Sequence, residues 1–468
     1  MKKFLSTALA LGIVAGLAAT ASALELKVTG SYVVDGYWID AGNGAAGGGG
    51  VWPWADLNAG NQRSAGVYLA GFNGAIYQDA FGRLSASTDT DSWYEHAFRM
   101  NPDLIINDKV MMKSEIRFID RDTIWGNQDD SGRASVENGA NFSVEKAWMV
   151  WDSPAGKVQV GRMPVGAWMG AFVNNASNGD RIRLDMPAMD AFKAYAFIEK
   201  QYEQDAYWAD LEDNDKDYYE VAGGYETEGV KAWMGLGWQQ DNLKDDGSFG
   251  FAQYDQSLYR VKGYGEFAIN EMFGLSGEFD YKWGSRDYAT PYVEDPDLSA
   301  LAGIVSASGK FDALTASLHY AYMSGENDTD SDIEAYDVAN GTGWDFEPLY
   351  ILTGQATNIL NGYRGPNIVG TTVRTCGVQA IVGLVDYAAS EDLTLHGGIG
   401  WGQADETPAG VDSDYGWEAD LGLAYKLYDN LTYELHFGWW AVGDFAELGG
   451  MMETEDVLLL SHHLSMKF

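Results

Sequence analysis

The sequence predicts an all-β fold, a transmembrane antiparallel β-barrel. Three observations carry this. Segments of about ten residues alternate apolar with polar or small side chains, the period of a strand. Connectors between them alternate short and long. Aromatic residues crowd the segment ends, as at Tyr37 and Trp38, Trp93 and Tyr94, Trp148 and Trp151, Tyr218 and Tyr219, Trp439 and Trp440, where membrane–water interfaces should lie.

The alternation is clearest in Leu431–Trp439, where Leu431, Tyr433, Leu435, Phe437 and Trp439 oppose Thr432, Glu434, His436 and Gly438. Segment 275–283 sets Leu275, Phe279, Tyr281 and Trp283 against Glu278, Asp280 and Lys282. Upward strands are expected at 26–38, 110–121, 157–163, 190–199, 229–239, 272–284, 312–323, 392–403 and 430–442. Downward strands are expected at 93–100, 142–151, 179–186, 218–226, 256–269, 298–309, 371–387, 415–426 and 456–468. That gives 18 strands with short periplasmic turns and long outer loops, or 16 if 179–186 and 190–199 merge with their neighbours. A barrel this wide is expected to leave an aqueous lumen rather than a packed core. It must close in a membrane because the large apolar faces have no second layer to cover them, and lipid offers backbone groups no partner.

The chain has 468 residues, with 69 acidic and 30 basic side chains and a net charge of −39. This charge repels phosphate backbones, so no nucleic-acid partner is expected. The 13% aromatic content excludes an acidic disordered chain. One cysteine, Cys376, excludes a disulfide framework, and it is read as an inert lipid-facing thiol in phase with Val378 and Ala380. The six histidines are scattered, and H-E-x-x-H, C-x-x-C-H and G-x-S-x-G are all absent, so no enzyme activity and no cofactor are expected. Asp328, Asp330 and Asp332 resemble the start of a calcium loop, but Ile333 and Ala339 stand where Gly and Glu are needed. Loose calcium or magnesium binding at acidic outer loops, bridging to lipopolysaccharide phosphates, is the weaker expectation left.

Residues 1–23 read as a cleaved signal peptide: Lys2 and Lys3, an apolar stretch from Phe4 to Ala19, and Ala21-Ser-Ala23 before Leu24. Residues 24–468 then form a single barrel domain. Removing two lysines and no acid brings the mature charge to −41.

The terminal segment Val457–Phe468 ends in Phe, with Leu458, Leu460, Leu464 and Met466 on one face. This resembles the assembly signal of the Gram-negative outer-membrane porins. Residues 142–166, FSVEKAWMVWDSPAGKVQVGRMPVG, are similar to the porin hairpin that ends in a G-R pair before the third outer loop. The resemblance implies a general-diffusion porin in the outer membrane, a homotrimer, assembled through Phe468 by the barrel-assembly machinery and surrounded by lipid and lipopolysaccharide. It implies that Arg162 lines the constriction and that 164–179 is a third loop folded into the lumen. In general porins that loop carries acids, whereas 164–179 has none, and Asp180 is the nearest. Arg162 is also in phase with Val158 and Val160, so a local irregularity would have to turn it inward.

Further pore-lining candidates are Arg99, Lys113, Glu115 and Arg117, in phase with polar faces, and Asp180, Arg181 and Arg183 beside the third loop. In-phase basic residues number nine (Lys27, Arg99, Lys113, Arg117, Lys231, Arg260, Lys262, Lys282, Lys426). In-phase acids number eleven (Asp35, Glu95, Glu115, Glu145, Glu220, Glu266, Glu278, Asp280, Glu418, Asp420, Glu434), leaving the wall near neutral and the loops strongly acidic. An acidic mouth concentrates cations. The expected function is passive diffusion of small hydrophilic solutes and ions with weak cation preference. The alternatives are a substrate-specific channel with a basic ladder for an anionic solute, or an adhesin or structural barrel acting through the long loop 324–370.

Overall fold

The computed structural model describes residues 24–40, 90–124, 143–165, 168–170, 172–173, 178–203, 215–243, 254–288, 294–326, 331–336, 347–353, 376–407, 409–447 and 456–468. The expected signal peptide, Asp328 and Asp330 lie outside these residues, as does most of 324–370.

Eighteen strands follow in chain order: β1 Glu25–Asp40, β2 Thr90–Asn107, β3 Val110–Ile124, β4 Ser143–Ser153, β5 Gly156–Met163, β6 Gly179–Asp185, β7 Phe192–Tyr202, β8 Lys216–Glu226, β9 Val230–Leu243, β10 Tyr254–Ala268, β11 Phe273–Tyr288, β12 Asp297–Phe311, β13 Leu314–Met323, β14 Val378–Ala388, β15 Leu393–Gln403, β16 Asp414–Tyr428, β17 Leu431–Val442 and β18 Val457–Lys467. Each pairs antiparallel with its chain neighbours, and β1 pairs β18, so the sheet closes. Closure leaves no edge strand, which is what lipid requires.

The short and long connectors sort by end. Turns of two to six residues join β2–β3, β4–β5, β6–β7, β8–β9, β10–β11, β12–β13, β14–β15 and β16–β17 at one end, and longer connections join the rest at the other. β6 and β7 are separate strands, which fixes the count at 18 rather than 16. Their turn, Met186–Ala191, carries Asp190 at φ 53°, a left-handed conformation that Asp tolerates.

Outward side chains form a continuous apolar surface. Leu421 is 66% exposed, Val305 62% and Ile182 57%, far beyond what a soluble protein leaves to water. Aromatic rings bound this belt toward the loop end, where Tyr219 stacks on Trp238 and Tyr259 on Trp283 at centroid distances of 5.3 and 5.8 Å. Toward the turn end Phe192 meets Tyr225 and Phe273 meets Phe311 at 5.2 and 5.6 Å. Adjacent aromatics divide between the faces: Trp38 and Trp439 point outward, while Tyr37 and Trp440 are buried inside.

Two expectations are corrected. The lumen is not wholly aqueous. Inward positions of β12–β14 are apolar (Leu298, Ala300, Ala302, Ala321, Met323, Val378, Ala380, Val382) and are packed under Ile333, Tyr336, Leu349, Ile351 and Leu352 from the β13–β14 connection. The cause is that these apolar faces have a loop to bury against, so they need no lipid. Cys376 is accordingly buried in this internal core and precedes the strand, which begins at Val378 and not at residue 371. The outward residues of β14 are Ile381, Val385 and Tyr387.

The seam between the first and last strands is fastened by the terminal residue. Gly30 N–H donates to the Phe468 carbonyl at 2.8 Å, and Phe468 N–H donates back to Gly30 at 3.0 Å. The Phe468 ring lies over Gly30, where a Cβ would stand 2.5 Å from Phe468 Cζ and 2.6 Å from the Arg99 carbonyl oxygen. Glycine is therefore required at this close approach. Gly30→Leu is expected to expel the ring and destabilise the barrel by about 1–3 kcal/mol. The check is a lower temperature at which the folded, heat-modifiable band is lost in gel electrophoresis.

Candidate pore-lining site

Period-two alternation puts six charged residues of β8, β10 and β11 inside; β10 and β11 are neighbours, and β9 separates them from β8. Glu220, Arg260, Lys262, Glu278, Asp280 and Lys282 are all buried. Isolated buried charges would be costly, and four of these form two ion pairs. Arg260 makes a forked contact with Asp280, and Lys262 lies 2.6 Å from Glu220. Glu220 also accepts from the hydroxyls of Tyr195 at 2.6 Å and of Tyr218.

Two loop segments dock on this network. From the β5–β6 connection, Trp168 Nε1 donates to Glu220 at 3.1 Å, its ring lies under Lys262 at 4.8 Å, and Phe172 N–H donates to Glu278 at 3.2 Å. The third-loop segment has no acids, and the wall supplies them. From the β13–β14 connection, Tyr336 donates its hydroxyl to Asp280 at 2.7 Å, and Lys282 donates to the Tyr336 carbonyl at 3.1 Å. Burial, then the neighbouring Asp280 charge, pushes the Tyr336 phenol well above its ordinary pKa, so it remains a donor.

A third segment, 347–353, seats on β16. Ile351 and Leu352 N–H each donate to Glu418 at 2.6 Å, and Tyr350 N–H donates to Asp420 at 3.0 Å. The glycines of β15 and β16 make the room: a Cβ at Gly400 would stand 2.5 Å from Leu349, and one at Gly422 2.3 Å from the Tyr350 hydroxyl. The Tyr350 ring stacks on His436 at 4.2 Å and 11°, and lies 5.7 Å from His396. His463 is 4.7 Å from His436. Histidines scattered in sequence are thus brought together by the barrel.

The sequence candidates distribute as follows. Arg181 pairs with Glu199 and lies over the Phe197 ring at 4.0 Å, and Arg183 lies 2.7 Å from Asp185 and over Tyr195 at 4.1 Å. Lys113 faces Asp103 at 3.7 Å, Glu115 faces Lys146 at 2.8 Å, and Arg117 faces Glu145 at 3.5 Å. Arg99 stands opposite Arg117 in register. Arg162 is a correction. Pairing through β4, β5 and β6 is regular, so Arg162 keeps the outward phase of Val158 and Val160, and no irregularity turns it inward. It forms a rim pair with Asp180 at 3.1 Å, both about half exposed at 49% and 54%. Asp332 accepts the Asp297 N–H at 3.0 Å, tying the loop to β12. Among the described residues no group of three His, Cys, Asp or Glu side chains is arranged to hold a metal.

Sequence reasoning counted Lys282, Glu418 and Asp420 as wall charges but missed Trp168, Tyr336 and Tyr350, because loop residues carry no periodic signal. One signal was available: Glu278, Asp280 and Lys282 occupy three successive inward positions beside Arg260 and Lys262, a charge density that needs partners.

Two outcomes follow. Asp280→Asn leaves Arg260 buried without its carboxylate and should cost about 3–5 kcal/mol, whereas Arg162→Gln at the exposed rim should cost at most about 1 kcal/mol. Urea midpoints of the detergent-folded barrel measure both. Glu418→Ala with Asp420→Ala should unseat 347–353, seen as faster limited proteolysis there with unchanged heat-modifiable migration.

No protein-family model matches the chain. No curated protein matches it either. Among solved structures, Pseudomonas aeruginosa OpdQ aligns at 11% identity over 95% of this chain and 97% of its own, with a TM-score of 0.51. Pseudomonas aeruginosa OccK9 (OpdG) aligns at 12% identity over 95% and 98%, with a TM-score of 0.50. The outer membrane channel DcaP of Acinetobacter baumannii aligns at 11% identity over 96% and 99%, with a TM-score of 0.44. At such identities the likeness is one of fold: this chain is a closed 18-stranded antiparallel barrel with the fold of the Gram-negative outer-membrane porins.

Proposed function

We propose that the protein is an outer-membrane porin that passes small hydrophilic solutes and ions, with a weak preference for cations. One observation carries the reading: the face turned away from the apolar belt holds most of the strand charges, several of them beside polar loop segments. A polar interior behind a lipid-facing surface is the arrangement of a diffusion channel.

The sign of the preference follows from how the wall charges are spent. Arg181, Arg183, Arg260, Lys262 and Lys146 each have a carboxylate partner within the wall. This weakens the alternative of a basic ladder for an anionic solute. Apart from the Glu25–Lys27 pair at the turn end of β1, strands β14–β18 and β1 hold five inward carboxylates, Asp35, Asp386, Glu418, Asp420 and Glu434, and their only other Lys or Arg residues are Lys426 and Lys467 near the same end. The unbalanced charge is acidic, as are the loops. Assembly as a homotrimer, insertion through Phe468 and bridging of acidic outer loops to lipopolysaccharide by divalent cations belong to the same reading. None of it calls for a catalytic step or a bound cofactor.

Purified protein in a planar bilayer should conduct, and a salt gradient should give a reversal potential of the sign for cation preference, larger at low ionic strength. A reversal potential of the anion sign contradicts the proposed selectivity.

A further inference from the structure

The inner wall of β14–β18 and β1 differs from the rest of the barrel in its bases. Elsewhere many wall carboxylates face Lys or Arg. Here, away from the turn end, the bases are imidazoles. Three carboxylate–histidine pairs converge: Asp386 with His396 at 2.8 Å, Glu434 with His436 at 3.4 Å, and Asp35 with His463 at 2.6 Å. The rings gather on the Tyr350 side chain of the inward segment, His436 by stacking and His396 from the neighbouring strand. Asp420 and Glu418 on β16 complete the acidic surroundings, and Tyr37 on β1 meets His463 edge-on at 5.8 Å.

The histidine side chains are partly exposed on the inner face of the wall: His396, His436 and His463 keep 22%, 16% and 18% of their surface. Imidazole is the side chain that changes charge between about pH 5 and 8.

Resting on the channel reading above, we propose that His396, His436 and His463 form a pH-responsive selectivity switch in the pore wall. With neutral imidazoles the only charges this sector carries away from the turn end are those of its carboxylates. Protonating all three imidazoles adds three positive charges to it. The sign is fixed by the chemistry. Protonation adds positive charge beside the conduction path, so cation preference is full above the imidazole range and declines as the pH falls through it. Neighbouring carboxylates hold the imidazoliums in place, and no cation has to enter from outside.

The test is reversal potential across a salt gradient, at about pH 7.5 and about pH 5.5. Wild-type protein should show a cation-to-anion permeability ratio that falls by roughly two-fold. The triple variant His396→Gln/His436→Gln/His463→Gln should keep its preference over the same interval. If that variant does not fold, His436→Gln alone, at the centre of the cluster, should blunt the change. A variant that titrates like wild type, or a wild-type pore whose cation preference does not move, overturns the switch and leaves the channel reading intact. Protein that folds and forms no conducting pore overturns the channel reading itself.

Discussion

Closure of the hydrogen-bonded ladder is the constraint on which the rest of this structure depends. In hydrocarbon a strand can leave no backbone group unpaired, so β1 must meet β18 and every strand must have two neighbours. Once the sheet is closed, period two does the remaining sorting. One set of side chains enters lipid and the other enters the lumen. The same arithmetic that places Leu421 outside puts Asp420 inside. The fastening at Gly30 and Phe468 sits on the one seam that joins the two ends of the chain.

The inside is not uniform, and its differences follow from what each sector has to face. Around β8–β11 opposite charges neutralise each other and hold Trp168, Phe172 and Tyr336 in the lumen. Around β12–β14 the wall is apolar and is covered by the same connection that delivers Tyr336 and Tyr350. Around β15–β17 two carboxylates accept backbone N–H groups from 350–352. Three different chemistries thus anchor segments of two connections, and they leave the histidine-bearing sector with the unbalanced acidic charge.

The strands were legible because alternation is a local signal. All eighteen segments correspond to strands, including the pair at Gly179–Asp185 and Phe192–Tyr202 whose separation was open. Two kinds of residue were not legible. Val378 and Ala380 read as lipid-facing because an apolar face in a barrel usually meets lipid, and only the docked loop shows that it meets Ile351 and Leu352 instead. Arg162 read as a constriction residue through a motif, while its phase with Val160 put it outside, and phase was the better guide. Contacts such as Tyr350 on His436 join residues more than eighty positions apart, through a connection without periodicity, so no local pattern could announce them.

The central claim is that alternate residues of each strand face water and lipid. It is tested most directly by single cysteines along β17 in a background where Cys376 is replaced. After reconstitution in lipid bilayers, cysteines at Thr432 and Glu434 should react with a water-soluble thiol reagent. Those at Tyr433 and Leu435 should be shielded by lipid. Reactivity that ignores this alternation, or reverses it, would contradict the account.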